Sequence, residues 1–174
     1  MTPTELRAKQ APFKTQYKDD PASALVTLRA VGELQVESVS CQLQFGVSPQ
    51  NAGLHPLAGG DGTQACSAEM LLHALVGCAG VTLGAVATAM EIPVRGGTIT
   101  AEGDVDFRGT LGVSREVPIG FQAIRLKFDL DTDAPPEKLT KLIELTERYC
   151  VVYQTLKNSP TLVGEAVAKS PSPQ

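Results

Sequence analysis

The fold of this chain depends on one long uncharged segment, residues 66–93, which reads CSAEMLLHALVGCAGVTLGAVATAMEIP. Between Glu69 and Glu91 the segment carries no formal charge, and apolar or small residues occupy every face of the helix that its length predicts. Pro93 ends this helix, because proline lacks the backbone N–H that would continue it. The sequence therefore predicts a long central helix over Met70–Met90.

The surroundings of this helix favour burial within a protein. It is long enough to cross a bilayer, but no Lys or Arg lies directly beside either end and no aromatic belt marks an interface. A single sheet covers only one side of such a helix, so either a second helix with loops or a second subunit must cover the rest. Gly77, Gly80 and Gly84 permit close backbone approach, and a homodimer is the simpler prediction.

A second helical segment is amphipathic and follows the stretch DAPPEK at residues 133–138. Ser67 and Asp133 are the candidate N-caps of the two helices. The residues that share one face of the second helix are Leu139, Leu142, Ile143, Thr146, Tyr149, Cys150 and Tyr153. Cys150 is therefore predicted to point inward.

Alternating apolar and polar residues predict strands around both helices. The predicted strands are Leu25–Val31, Leu34–Phe45, 98–107, 124–130 and Leu162–Val167, with a turn at Gly32-Glu33, a bulge near Glu37-Ser38 and a loop over Gly46–Gln64. The order β-β-α-β-β-α-β predicts the α+β class. Residues 1–23 are predicted to form a polar N-terminal arm, 24–169 the domain and 170–174 a disordered tail.

Composition excludes several functional classes. The net charge of −4 among 174 residues and a pI near 5.2 leave no electrostatic footprint for nucleic acid. The start of the chain lacks the apolar core of a secretory signal, and four cysteines do not resemble a disulfide scaffold, so a cytoplasmic, reduced protein is predicted. There is no C-x-x-C and there are only two histidines, so neither a metal site nor another cofactor is predicted.

The cysteines support two interpretations. Cys78 lies on the first helix and Cys150 on the second. Two thiols held by packed helices suit a redox site in which one sulfur attacks and the other resolves the product as a disulfide. Alternatively both are core residues, because free cysteine is among the most buried residue types. Cys41 and Cys66 are predicted to be a strand core residue and a helix-start residue.

Two segments in this order of elements resemble the OsmC/Ohr family of osmotically inducible and organic hydroperoxide resistance proteins. They are CSAEMLLHALVGCAGVTL at residues 66–83 and ERYCVVYQTL at residues 147–156. The resemblance implies an OsmC-like intertwined homodimer with two long helices packed at its centre. It also implies reduction of organic hydroperoxides by a thiol reductant, with Cys78 as the peroxidatic and Cys150 as the resolving cysteine.

The chain departs from the family where the thiolate is usually held. Active members carry a Glu about ten residues before the peroxidatic cysteine, where this chain has Ala68, and an Arg upstream, where the loop Gly46–Gln64 has none. Thr82 offers a hydroxyl one turn after the helix cysteine, and Arg29 or Arg115 are candidates for the missing cation. Without a cation the thiol is expected to stay largely protonated and any peroxidase activity to be slow.

A hypothesis from another class is a non-catalytic homodimer whose apolar helices bind a small hydrophobic ligand. A peroxidase consumes two thiols per turnover, whereas a binding module saturates with ligand and ignores peroxide. That difference distinguishes the two hypotheses in solution.

Overall fold

The computed structural model describes residues 1–27, 30, 32–35, 40–45 and 48–167, with side chains described outside 31–49. Its first element is helix α1, Pro3–Asp19, so the predicted arm over residues 1–23 is largely helical. Thr2 and Glu5 form a capping box in which each side chain bonds the other's backbone N–H, at 3.2 and 2.8 Å. No residue of α1 is buried, and the ion pair between Arg7 and Glu91 at 3.6 Å links it to the end of the central helix.

The first sheet contains strands β1 (Gly32–Gln35), β2 (Ser40–Phe45), β3 (Ser48–Gly53) and β4 (Ala65–Cys66), in that order. The pairs are antiparallel except β3 with β4. The predicted turn at Gly32-Glu33 is wrong, because both residues belong to β1 and pair with Leu43 and Gln42. The predicted loop contains β3, and the predicted first strand is extended coil at Leu25 and Val26, both exposed. The prediction of one strand over Leu34–Phe45 is also wrong, because its two ends belong to β1 and β2, which pair with each other so that Leu34 lies opposite Cys41. The predicted bulge lies outside the described residues.

The second sheet is the antiparallel pair β5 (Gly96–Asp104) and β6 (Ala123–Asp131). The period-two pattern predicts both strands, and the structure confirms them except at the end of the first, where β5 stops at Asp104 and Phe107 is helical. The short helix α3, Phe107–Thr110, lies in the connection between them. On the polar face of this sheet Arg125 bonds Asp104 at 2.8 Å, which leaves the opposite, apolar face for the helices.

Three further helices are α2 (Ser67–Ala89), α4 (Pro136–Tyr149) and α5 (Val151–Lys157), and α2 packs against β5, α4 and α5. The second predicted helix is thus two helices that meet at Cys150. The predicted N-caps are also displaced, because Cys66 and Pro135 occupy the cap positions. Asp133 instead pairs with Arg95 at the edge of the sheet.

The C-terminal strand predicted at Leu162–Val167 is wrong. Leu162, Val163 and Val167 are exposed coil, because no strand among the described residues pairs with them. The predicted tail at residues 170–174 lies outside the described residues.

The central helix α2 is buried on one face only. Leu75, Ala79, Leu83 and Ala87 recur every four residues and are buried against the second sheet, α4 and α5. The chain itself does not bury all of the remaining faces of α2. The second subunit predicted from the sequence is therefore still a candidate to cover them. We call the exposed residues of that uncovered side the open α2 face; they are Leu71, Ala74, Gly77, Val81 and Gly84.

Leu142 is fully buried between α4 and α2, in a cluster with Leu83, Ala87 and Ile92. We expect Leu142→Ala to lower the free energy of unfolding by about 2–5 kcal/mol, because it removes buried methyl groups and leaves a cavity. Denaturant titration measures this loss. Leu162→Ala, at a residue that is 85% exposed, is the matched control and is expected to change stability by less than about 0.5 kcal/mol. Equal effects of the two substitutions would contradict this account of the core.

Candidate functional site

The structure brings Cys78 and Cys150 together. Cys78 lies half-buried in the middle of α2, and Cys150 is fully buried where α4 meets α5. Both belong to one cluster with Leu75 and Ala79 at its centre. Cys66, Cys78 and Cys150 all carry free thiols. The two thiols pack in one cluster, and their roles in catalysis stay predictions.

The chain changes direction at Cys150, whose backbone is extended with φ −74° and ψ 111°. Its N–H still donates to the Thr146 carbonyl at 2.9 Å, and its carbonyl accepts from Gln154 N–H at 2.9 Å. The sulfur accepts from the Tyr153 N–H at 3.5 Å and caps α5. Cys150 therefore ends one helix and begins the next, and its thiol is fixed by that position.

Hydrogen bonds to the sulfur lower the pKa of Cys78. Burial raises this pKa, but donors outweigh it, so that the pKa lies below the usual value of a cysteine thiol. In order of their effect, the donors are the Val152 N–H, the Cys150 thiol, the Val151 N–H and the Thr82 hydroxyl. Thiolate is therefore more populated at Cys78 than in an isolated cysteine.

The pKa of Cys150 shifts in the opposite direction. Burial raises it, and the thiolate of Cys78 raises it further by accepting the hydrogen bond and by its charge, while the N–H groups of Tyr153 and Val152 oppose the rise. The pair thus shares its protons unequally. Cys78 is the sulfur that ionises first and is reachable from solvent, and Cys150 is the buried thiol that donates to it.

The supporting residues predicted from the sequence have different outcomes. Thr82 contacts Cys78 and contributes to its lowered pKa. Arg115 is exposed in the loop after α3, and no charged side chain of the described residues lowers the pKa of Cys78. Arg29 lies outside the described residues. The sequence predicts a cation at this thiol; among the described residues, uncharged neighbours from α2 and from the start of α5 lower its pKa instead.

No sequence motif predicts the helix break that frees the N–H groups of Val151 and Val152. Val151 and Val152 continue the apolar pattern of the preceding helix, and nothing in their identity marks a break. The one weak sign of a break is the Val151-Val152 sequence, because β-branched residues have lower helix propensity than straight-chain ones.

Of two clefts, the first borders the cluster that holds the thiol pair and the second lies at the start of α2. One, of about 370 Å³, includes Leu75, Tyr153 and Leu156 in its lining. The other, of about 360 Å³, is predominantly apolar and is lined by residues that include Leu54, His55, Cys66, Leu71 and Phe107. Phe121 borders both clefts. Cys66 thus begins α2 as predicted, at the rim of an apolar cleft, while the side chain of Cys41 is outside the described residues.

Two further features bear on the class of protein. Of the described helices, α2 has the length and apolar composition needed to cross a membrane, but its buried row packs on the chain's own sheet and helices. A cluster of three or more potential metal ligands does not occur among the described residues. An α+β domain with two contacting thiols on packed helices is the class that fold and site define.

The family described as OsmC-like protein matches residues 60–163, which include both helices and both cysteines. The chain belongs to this family. No curated protein matches the sequence.

Solved structures share the fold at low identity. The OsmC-like protein from Mycoplasma pneumoniae is 15% identical with a TM-score of 0.65, covering 77% of this chain and 89% of that one. The organic hydroperoxide resistance protein OhrB of Bacillus subtilis is 19% identical with a TM-score of 0.54, covering 78% and 94%. An organic hydroperoxide resistance protein OsmC from Legionella pneumophila is 12% identical with a TM-score of 0.60, covering 77% and 93%. These similarities establish the fold and leave the activity to be argued from the site.

Proposed function

We propose that this protein is a thiol peroxidase that reduces organic hydroperoxides, with Cys78 as the attacking and Cys150 as the resolving cysteine. The observation that carries the proposal is the unequal thiol pair: a half-exposed sulfur whose pKa is lowered by hydrogen bonds, in contact with a buried thiol whose pKa is raised. This division matches the two roles, because the attacking group must be a thiolate.

The chemistry balances within the pair. The Cys78 thiolate attacks the distal oxygen of ROOH, the O–O bond breaks, and the alkoxide leaves and takes up a proton to become ROH. Cys78 is then a sulfenic acid. The Cys150 sulfur attacks that sulfur, the S–O bond breaks and water leaves, so that a disulfide remains. An external dithiol returns both cysteines to the thiol form.

The proton on Cys150 does not obstruct the second step. Part of what raises its pKa is the negative charge of Cys78, and that charge disappears when Cys78 becomes a neutral sulfenic acid. Removing it lets the Cys150 pKa fall at the stage when Cys150 must attack. Each cysteine is thereby reactive at its own step.

We infer an organic rather than an inorganic hydroperoxide because the surroundings of the site are apolar. Leu75, Ile124 and Leu126 pack in the cluster that holds the thiols, and burying an alkyl group stabilises binding by about 0.8 kcal/mol per CH₂. Hydrogen peroxide offers no such group. Cumene hydroperoxide should therefore be turned over with a higher kcat/KM than hydrogen peroxide.

We also propose that the active form is a cytoplasmic homodimer joined through the open α2 face. Ala74, Gly77, Val81 and Gly84 recur at alternating spacings of three and four, the pattern of a helix that packs on another helix. Added side-chain carbon at Gly77 or Gly84 would meet no atom within 4 Å in this chain. A partner helix there would also approach Cys78. Three free thiols fit a reducing compartment.

The test is hydroperoxide-dependent oxidation of a dithiol together with the pH dependence of Cys78 alkylation. We expect turnover of cumene hydroperoxide, and an apparent Cys78 pKa below the ordinary value of about 8.5. Since the thiolate reacts, the alkylation rate should rise with pH through this lowered pKa and be constant above it. A pKa at or above 8.5 with no turnover would contradict the proposal and leave the apolar cleft at the start of α2 as the site of a ligand-binding module.

A further inference from the structure

The break between α4 and α5 has a stabilising device of its own. In a continuous helix the Glu147 carbonyl would accept the N–H of Val151. Here it accepts the side-chain amide of Gln154, with Nε2 at 2.9 Å from the oxygen. Among the described residues no carbonyl of α4 accepts from Val151 or Val152.

A second contact orients the Gln154 amide. Asn158 Nδ2 donates to Gln154 Oε1 at 3.1 Å, so the oxygen of the amide faces Asn158 and the nitrogen faces Glu147. Gln154 is half-buried, where such a bond is less exposed to competition from water. The side chain thereby bridges the end of α4 and the body of α5.

We propose that Gln154 is a positioning residue for the thiol pair: by bonding the Glu147 carbonyl it maintains the helix break at Cys150 and keeps Cys150 and Val152 packed with Cys78 in one cluster. Gln154 itself does not contact the Cys78 sulfur as a donor. It acts through the backbone: in a continuous helix the N–H groups of Val151 and Val152 would bond carbonyls of α4. This inference rests on the proposed function for its consequence in catalysis, but its structural core is independent of peroxide chemistry.

The alternative arrangement explains why a positioning residue is needed. If α4 and α5 joined into one helix, the Val151 N–H would turn to the Glu147 carbonyl, and the turn that places Val152 in the cluster with Cys78 would be rebuilt. Cys150 would also leave the cap position from which it bonds the Tyr153 N–H at 3.5 Å. The bond from Gln154 disfavours that rearrangement, because it gives the Glu147 carbonyl a partner in the broken arrangement, where the helical N–H is missing.

The experiment is site-resolved alkylation of the reduced, full-length protein by iodoacetamide across pH, with each cysteine followed by peptide mass spectrometry. Gln154→Met removes the amide at similar length and helix propensity. We expect the apparent pKa of Cys78 to rise by about half a unit to one unit, the size of a lost hydrogen bond, which lowers the thiolate fraction at neutral pH by roughly three- to tenfold. Gln154→Lys restores an N–H donor and should move the profile back towards wild type.

Two controls keep the result specific. Gln16→Met makes the same change on the exposed surface of α1 and should leave Cys78 unchanged, and Cys66 is an internal reference for general loosening. Asn158→Ala, at an exposed position, removes the donor that orients Gln154 and should give a smaller rise; it decides alone if Gln154→Met does not fold.

An unchanged Cys78 profile in folded Gln154→Met, or equal shifts at Cys78 and Cys66, would overturn the inference. So would Asn158→Ala with no effect where it has to decide alone. Because alkylation uses no peroxide, a protein without turnover can still show the Gln154 effect, and the two proposals fail separately.

Discussion

Replacing Cys78 by Ser is expected to abolish the turnover of cumene hydroperoxide, whereas Cys66→Ser is expected to leave it unchanged. A hydroxyl without a neighbouring base is a far weaker nucleophile at neutral pH than a thiolate, so the rate should fall by at least ~100-fold, to the uncatalysed background. Dithiol-coupled peroxide consumption measures the loss. Cys66 is the matched control because it is another free thiol, at the N-cap of α2 and outside the thiol pair.

Cys150→Ser should have a different signature. Serine retains a hydroxyl at the cap position and can still donate to Cys78, so the first oxidation should proceed. Without a resolving sulfur the sulfenic acid should persist and be trapped by dimedone at about one equivalent per chain, while turnover with a dithiol falls. Full activity of Cys78→Ser, or trapping of a sulfenic acid on Cys66 instead of Cys78, would refute the assigned roles.

Helix α2, the helical character of residues 136–157 and the second sheet follow from local sequence pattern. The segment around Cys78 is too apolar and too long to be anything but a core or interface helix, and β5 and β6 alternate strictly between polar and apolar residues. The proximity of Cys78 and Cys150 was anticipated only through the family resemblance, because helical spacing within each segment says which way a thiol points and not what it meets. The predicted catalytic roles are still to be measured.

The elements that the sequence does not predict depend on interactions that single-residue preferences do not describe. Helix α1 depends on the reciprocal Thr2–Glu5 cap, which a polar composition conceals. Strand β3, with the sequence SPQNAG, has little strand propensity and owes its conformation to pairing with β2. The break at Cys150 depends on a side-chain bond from Gln154, and no single-residue preference encodes it. Residue types alone therefore predict a cation beside Cys78, whereas the fold surrounds this thiol with uncharged groups.

A charged substitution in the open α2 face is expected to have a large effect on assembly. We expect the wild-type protein to sediment at about twice the 18.3 kDa chain mass and Val81→Asp to sediment as a monomer. Val81 is 77% exposed in the single chain. In a symmetric dimer both copies of this valine would be buried, and each would contribute to the free energy of association. Losing about 3 kcal/mol of burial from the two valines raises the dissociation constant roughly 100-fold, and two buried carboxylates add further repulsion.

The glycines of α2 separate assembly from folding. A side-chain carbon at Gly80 would lie 3.3 Å from Ile99 Cδ1 of β5, inside the chain's own core, whereas at Gly84 it would meet nothing within 4 Å. Gly84→Leu should therefore dissociate the dimer while the chain stays folded, aided by the higher helix propensity of leucine. Gly80→Leu should lower the free energy of unfolding itself. Gly164→Leu, in exposed coil with no atom near it, is the control and should do neither. A wild-type monomer with the open α2 face in solvent, or a Gly84→Leu protein that remains dimeric at micromolar concentration, would show that this face is not the interface.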